Sequence, residues 1–241
     1  MYYCRPYWLL IRLNHIVDSI HFMRKFCLGI IALLFSQISN AQKIQLTEDN
    51  LLPNKVYMTL EKLKGSEVVK VIKDSTVKEA DEATFVKINN LSFSNGVIEV
   101  EVLSKLRANA SPNDRGFIGL AFRINDNNTK FESIYLRPTN GRADDQLRRN
   151  HSIQYFSFPD YKFDRLRKES PEKYESYADM ELNKWIKLRV VVNRLQAKLY
   201  LNNNPQPSLI VNDLKHGADA LGGIGLFVDV GTEGYFRNLI N

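Results

Sequence analysis

The stretch WIKLRVVVNRLQAKLYL, Trp185 to Leu201, decides the fold class. From Trp185 to Asn193, Ile186, Leu188, Val190 and Val192 occupy one parity, and Lys187 and Arg189 the other. From Gln196 to Leu201 the rhythm repeats, with Ala197, Leu199 and Leu201 set against Lys198 and Tyr200. A period of two over runs of this length describes strands with one apolar and one mixed face.

The same reading extends outward. Gly96 to Val102 alternates Ile98, Val100 and Val102 against Glu99 and Glu101. Gly116 to Ile124 sets Ile118, Leu120, Phe122 and Ile124 against Gly119, Ala121 and Arg123. Gly223 to Val230 alternates in the same way, and 56–63, 84–88, 208–211 and 234–240 supply shorter strands. Clusters such as Asn125-Asp126-Asn127-Asn128 and Asn202-Asn203-Asn204-Pro205 are turn formers between strands. About ten or eleven strands without a long amphipathic helix predict an all-β, two-sheet antiparallel sandwich of jelly-roll type. Residues 161–180 break the pattern and read as a long loop with a helical turn.

The beginning of the chain reads differently. Residues 23–41, MRKFCLGIIALLFSQISNA, combine a basic start, a short apolar run and a small-x-small site at Ser39-Asn40-Ala41. These are the parts of a Sec-type signal peptide, with 1–22 as an over-extended gene start before Met23. The apolar run falls short of the roughly 20 residues that span a bilayer. The expectation is a single domain over 42–241, secreted or periplasmic, with no membrane span after processing. Both cysteines, Cys4 and Cys27, precede that cut, which excludes thiol catalysis and Cys-based metal sites beyond it. Four positive charges and one negative one also precede it, so +6 for the whole chain becomes +3. Lys and Arg interleave with Asp and Glu rather than forming a basic stripe, so no nucleic-acid partner is expected.

The order of five segments carries a resemblance: FSNGVIEVEV, RGFIGLAFR, FESIYLRP, NKWIKLRVVVNRLQAKLYLNN and GGIGLFVDVGTEGYFRNLI. Over about Leu91 to Asn241 the chain resembles the concanavalin-A-like lectin/glucanase superfamily, with echoes of laminin-G-like modules and bacterial 3-keto-disaccharide hydrolase domains. That resemblance implies two stacked, curved sheets and a sugar site on the concave one; its motifs encode packing more than activity.

Pairing the strands as the resemblance implies brings Glu99 and Glu101, Gly119, Ala121 and Arg123, and Ser133, Tyr135 and Arg137 to one shared face. The small Gly119 and Ala121 would leave a trough between taller polar groups. A sugar suits such a trough, its C–H face on a ring and its hydroxyls on charged groups. Arg123, Tyr135 and Arg137 are the expected glycan-binding residues, with His151 and Tyr155 in support. Arg142, Arg148, Arg149 and His151 form a rim loop able to donate to an anionic or hydroxyl-rich ligand. Gln154, Tyr161 and Trp185 are further stacking or hydrogen-bonding candidates. The same polar groups also fit a solvated sheet face in which Glu99 and Glu101 pair with Arg123 and Arg137.

Catalysis is the rival reading: a glycoside-cleaving hydrolase or lyase of the 3-keto-disaccharide type, with Glu99, Glu101 or Glu132 as general acid or base. Carboxylates two apart on one strand face lie about 6–7 Å apart at the backbone, close to the spacing of a retaining pair. Glycosidases of the laminarinase type carry a third alternating acid, where this chain continues Val102-Leu103-Ser104. A third reading is a structural or protein-interaction module. No cofactor is implied. Asn125 and Asp126 offer hard oxygens of the kind Ca²⁺ takes, and an Asn/Asp turn is the commoner explanation of them. His151 and His216, the histidines after the cut, lack the spacing of a zinc hydrolase.

Overall fold

The computed structural model describes residues 42–241, so the expected signal peptide lies outside the described residues. Two seven-stranded antiparallel sheets stack as a jelly-roll sandwich. The first sheet runs, in spatial order, β1 (Leu51–Asn54), β4 (Phe85–Ile88), β13 (Gly223–Val228), β6 (Ile118–Ile124), β7 (Phe131–Leu136), β8 (Ile153–Phe158) and β9 (Glu175–Ser176). The second runs β12 (Leu209–Val211), β11 (Gln196–Leu201), β10 (Trp185–Asn193), β5 (Gly96–Leu106), β14 (Thr232–Ile240), β3 (Ser66–Lys73) and β2 (Val56–Leu63). Two short helices, α1 (Gln146–Asn150) and α2 (Phe163–Glu169), sit in the connections after β7 and β8. Among the described residues no helix is long and apolar enough to cross a membrane.

The second sheet keeps the alternation that its sequence announces. Along β10 Ile186, Leu188, Val190 and Val192 are buried while Trp185, Lys187, Arg189 and Val191 are half-exposed. Val190 pairs with Leu199 of β11 and with Ile98 of β5, so one apolar layer spans three strands. Opposite it stand Ile118, Leu120 and Phe122 of β6 and Leu226 and Val228 of β13, all fully buried. A Cβ added to Gly234 of β14 would meet Val228 and Ile118 across the gap between the sheets.

The first sheet departs from one-sided packing. β6, β7 and β13 are buried at every position, on both faces. The face turned away from the second sheet holds its own aromatic layer: Tyr135 packs on Phe227 and Phe156, and Phe131 on Phe156 and Phe85, with ring centroids 5.2–5.8 Å apart. Three of these four contacts are edge-to-face, an arrangement favoured by the ring quadrupoles, and Tyr135 on Phe227 is tilted. The connections 74–84 and 159–182 roof this layer. Phe163 N–H donates to Asp81 Oδ2 at 2.7 Å, and Lys162 Nζ to Glu82 Oε1 at 2.5 Å, so the two connections lock onto each other.

This roof corrects the expected open trough. Gly119 and Ala121 do lie on the face that carries Ser133 and Tyr135, but Ala121 is fully buried and the Tyr135 backbone rests directly against Gly119. Residues 161–180, expected to be a long loop with a helical turn, contain the short helix α2 and also the two-residue strand β9.

Candidate functional site

At the end of the first sheet where β6 begins and β7 and β13 finish, the roof leaves a cleft of about 440 Å³. That is within the range of small-ligand sites. Its floor is Tyr135 and Arg137. β7 ends at Leu136, and Pro138 opens a 3-10 turn through Asn140 because it cannot extend the ladder. Arg137 turns inward and is almost fully satisfied: it donates to Glu175 Oε1 (2.9 Å), Tyr135 Oη (2.9 Å), Gln154 Oε1 (3.1 Å) and the His151 carbonyl (3.2 Å). Glu175 is shared with Arg167 of α2, whose Nε donates to Oε2 at 3.0 Å. Burial works against the Glu175 charge, yet Arg167 and Arg137 outweigh it and hold its pKa below the ordinary value.

The walls come from loops. Asp145 caps α1 by accepting the Arg148 N–H at 3.1 Å, which fixes the helix that aims Arg148 into the cleft. Asn140 Nδ2 donates to the His151 carbonyl at 3.0 Å, closing the loop onto the floor. Across from them stand Arg115 and Phe117, leading into β6, and the ring of Phe163 at the head of α2. Phe117 and Phe163 are half-buried, each with part of its ring open to the cleft. Burial, then repulsion from Arg148 and Arg137, pushes the Arg115 guanidinium below its ordinary pKa. His151 is also lowered, by burial first, with Arg167 and Arg137 adding to it against Glu175.

Behind this wall lies a carboxylate pair. Asp229 lines the cleft and accepts Lys73 Nζ at 2.5 Å and the Asp81 N–H at 2.8 Å. Asp81 is fully buried, and its pKa is pushed up to about 7 by burial and then by Asp229, against the Phe163 N–H and Arg137. Its Oδ1 has no hydrogen-bond partner among the described residues.

Of the five expected glycan contacts, Tyr135, Arg137 and His151 come together at this cleft, and the other two do not. Arg123 is carried away by a β-bulge: its φ is +54°, and the β6–β13 register slips beside it. Its guanidinium reaches the carbonyls of Ser94 (3.0 Å), Gly217 (2.9 Å) and Arg194 (2.8 Å), where it ties β6 to the β10–β11 turn. Tyr155 points between the sheets and donates to Glu132 Oε2 at 2.5 Å. Burial and the Glu132 charge raise its pKa well above the ordinary value.

The three expected acids are likewise dispersed. Glu132 is fully buried and also accepts the His216 N–H at 2.8 Å. Glu99 and Glu101 belong to β5, in the other sheet, where they pair with Lys187 and Arg237, each at 2.7 Å. They share no face with Arg123, Tyr135 or Arg137, because β5 and β6 fall in different sheets. Of the rim arginines, Arg148 enters the cleft, Arg142 is held by Asp179 (2.7 Å), and Arg149 reaches Tyr177 Oη (2.8 Å). Trp185 lies under the Arg237 guanidinium on the second sheet, 4.0 Å from it. Asn125 Oδ1 accepts the Thr129 and Lys130 N–H groups at 2.8 and 3.0 Å, and Asp126 follows it in that turn. Among the described residues no cluster of three or more His, Cys, Asp or Glu side chains could hold a metal.

No sequence signal marks Arg115, Phe117, Phe163, Asp81 or Asp229 as site residues. Arg115 opens the RGFIGLAFR segment, where it reads only as the start of a strand, and Phe163 and Asp81 sit in charged connections that carry no strand alternation. A larger hollow of about 600 Å³ lies along the second sheet, between Lys43–Thr47 and β2–β3. Its Arg237 is already held by Glu101 and Ser66.

No family model and no curated protein matches this chain. Among solved structures, the carbohydrate-binding module CBM66 from Bacillus subtilis is similar at 14% identity and TM-score 0.49, covering 78% of this chain and 94% of that one. A protein of unknown function with a galectin-like fold, also from Bacillus subtilis, is similar at 9% identity and TM-score 0.46, covering 77% and 86%. The carbohydrate recognition domain of Emp46p is similar at 14% identity and TM-score 0.43, covering 82% and 97%. Likenesses of this order concern architecture and leave the ligand to the chemistry of the site.

Proposed function

We propose that this protein binds a saccharide in the cleft between Arg115, Phe117, Arg148 and Phe163. The observation that carries the reading is the pairing, in one cleft of about 440 Å³, of two half-buried aromatic rings with several polar side chains. A sugar ring presents an apolar C–H face and an equatorial belt of hydroxyls. Phe117 and Phe163 suit the first; Arg115, Asn140, Arg148 and His151 suit the second.

An enzymatic reading has one observation in its favour, the Asp81 carboxyl with its pKa near 7 beside Asp229. Asp81 lies behind the cleft wall with no exposed surface, and Asp229 is neutralised by Lys73. A general acid must reach the bond it protonates, so binding is the better supported function.

A glycan array probed with the full chain and with a Phe163→Ala variant tests the reading. Binding to at least one saccharide class, weakened tenfold or more in the variant at unchanged melting temperature, upholds it. A wild type that binds no glycan, or a variant that binds as well, rejects it.

A further inference from the structure

The cleft has more positive charge than its own acids cancel. Four arginines line it: Arg115, Arg137, Arg148 and Arg167. Glu175 serves Arg137 and Arg167 together, at 2.9 and 2.5 Å. Asp229 is committed to Lys73. Asp114 accepts the Ser111 N–H at 2.7 Å and favours the Arg115 cation through its charge, without forming an ion pair with it, and Arg148 and Arg137 oppose it. Arg115 and Arg148 are what remain. Among the described residues, Arg115 donates only to the main-chain carbonyls of Pro112 (2.5 Å) and Asp114 (3.3 Å). Arg148 reaches only Asn140 Oδ1, at 3.4 Å, and its buried Nε has no hydrogen-bond partner. Neither guanidinium forms an ion pair among the described residues.

Both guanidiniums line the one cleft, and the Arg115 pKa is lowered by burial first, then by the charges of Arg148 and Arg137. Keeping like charges together in a partly desolvated cleft is unfavourable, and an oxyanion between them relieves it. Arginine is suited to that task because its planar fork of donors matches a carboxylate, or a sulfate edge, in bidentate geometry. With Nε buried beyond a ligand's reach, the edge that Arg148 can offer is its Nη pair, of which only Nη2 has a partner, the distant Asn140 Oδ1.

Resting on the saccharide reading above, we infer that the ligand of this cleft is an oxyanion-bearing saccharide, a uronate or a sulfated sugar, whose charged group docks between Arg115 and Arg148. The sugar ring then lies toward Phe117 and Phe163, and His151 serves a hydroxyl.

Titration calorimetry on the full chain tests this with four probes in matched pairs: polygalacturonate against its methyl ester, and dextran sulfate against dextran. The expected result is binding at least tenfold tighter to one charged probe than to its uncharged partner. Arg115→Gln and Arg148→Gln each remove tenfold or more of that affinity, while Arg142→Gln, outside the cleft, leaves it unchanged. The carboxylate and sulfate arms separate a uronate from a sulfated sugar. Equal weakening by all three variants indicates diffuse charge attraction and overturns the inference. Equal or tighter binding to the uncharged probes also overturns it while leaving the saccharide reading intact; no binding to any of the four probes overturns it too, and the glycan array then decides the saccharide reading. Should Arg148→Gln fail to fold because its Nε is buried, Arg115→Gln decides the question alone.

Discussion

The Arg137 guanidinium meets the Glu175 carboxylate at 2.9 Å, with 6% of one side chain and 3% of the other exposed. Removing one member of so buried a pair strands the other charge, at a cost of about 3–5 kcal/mol, whereas replacing both with apolar groups is far milder. Glu175→Ala is therefore expected to lower the unfolding free energy by about 3–5 kcal/mol in urea denaturation. The Arg137→Met/Glu175→Leu double variant is expected to lose less than the single one. A single variant as stable as the parent would show that the cleft floor is held by other groups.

Asp81 makes stability depend on pH in a direction opposite to most carboxylates. Its folded pKa is about 7, against about 3.9 for an ordinary Asp. Between those values the folded protein holds the proton more tightly than the unfolded chain. This contribution is fully present below about pH 4 and is lost as pH rises through 7, on the order of 4 kcal/mol in all. Asp81→Asn cannot ionise and keeps an oxygen to accept the Phe163 N–H. Its melting temperature relative to wild type is expected to climb between pH 4.5 and pH 8; parallel melting curves across that range would refute the assignment.

What the sequence disclosed follows from how each strand is packed. β10 and β11 were legible because they bury one face only, so their polar parity stays polar. β7 was not: Ser133, Tyr135 and Arg137 read as an exposed face, yet all three are buried. They are covered by a segment from elsewhere in the chain, and alternation carries no information about such a cover. Rim residues Arg148 and His151 were found because their loop is visibly polar, while Arg115 and Phe163 reach the cleft from segments that only the topology brings near.

Arg123 shows a second reason for misreading. A bulge usually announces itself by glycine, and here the φ of +54° falls on an arginine. Its role is that of a tether between sheets, through three main-chain carbonyls. Charge-assisted bonds to buried groups contribute about 1.5–3 kcal/mol apiece, not additively. Arg123→Ala is expected to cost about 2–4 kcal/mol of stability and to leave saccharide affinity unchanged below its melting temperature. Loss of affinity in the folded variant would return Arg123 to the binding site.

Gly119 supports the cleft floor by what it lacks. A Cβ there would stand 2.2 Å from the Ile134 carbonyl oxygen and 2.6 Å from Tyr135 Cα, and both are main-chain atoms of the neighbouring strand. A flexible side chain could move aside; a paired backbone can do so only by opening the β6–β7 ladder, on which Gly119 pairs with Tyr135. Gly119→Ala is thus expected to cost about 3 kcal/mol or more. Gly65→Ala meets no atom within 4 Å and is strained only by its φ of +82°, so it should cost about 1–2 kcal/mol. Because any shift of Tyr135 also displaces Arg137, which donates to its hydroxyl at 2.9 Å, the Gly119 variant should bind saccharide more weakly even where it remains folded. Chemical denaturation of the two variants, followed by binding at a temperature where both are native, separates this relay from a simple loss of stability: the Gly65 variant keeps full affinity and the Gly119 variant does not.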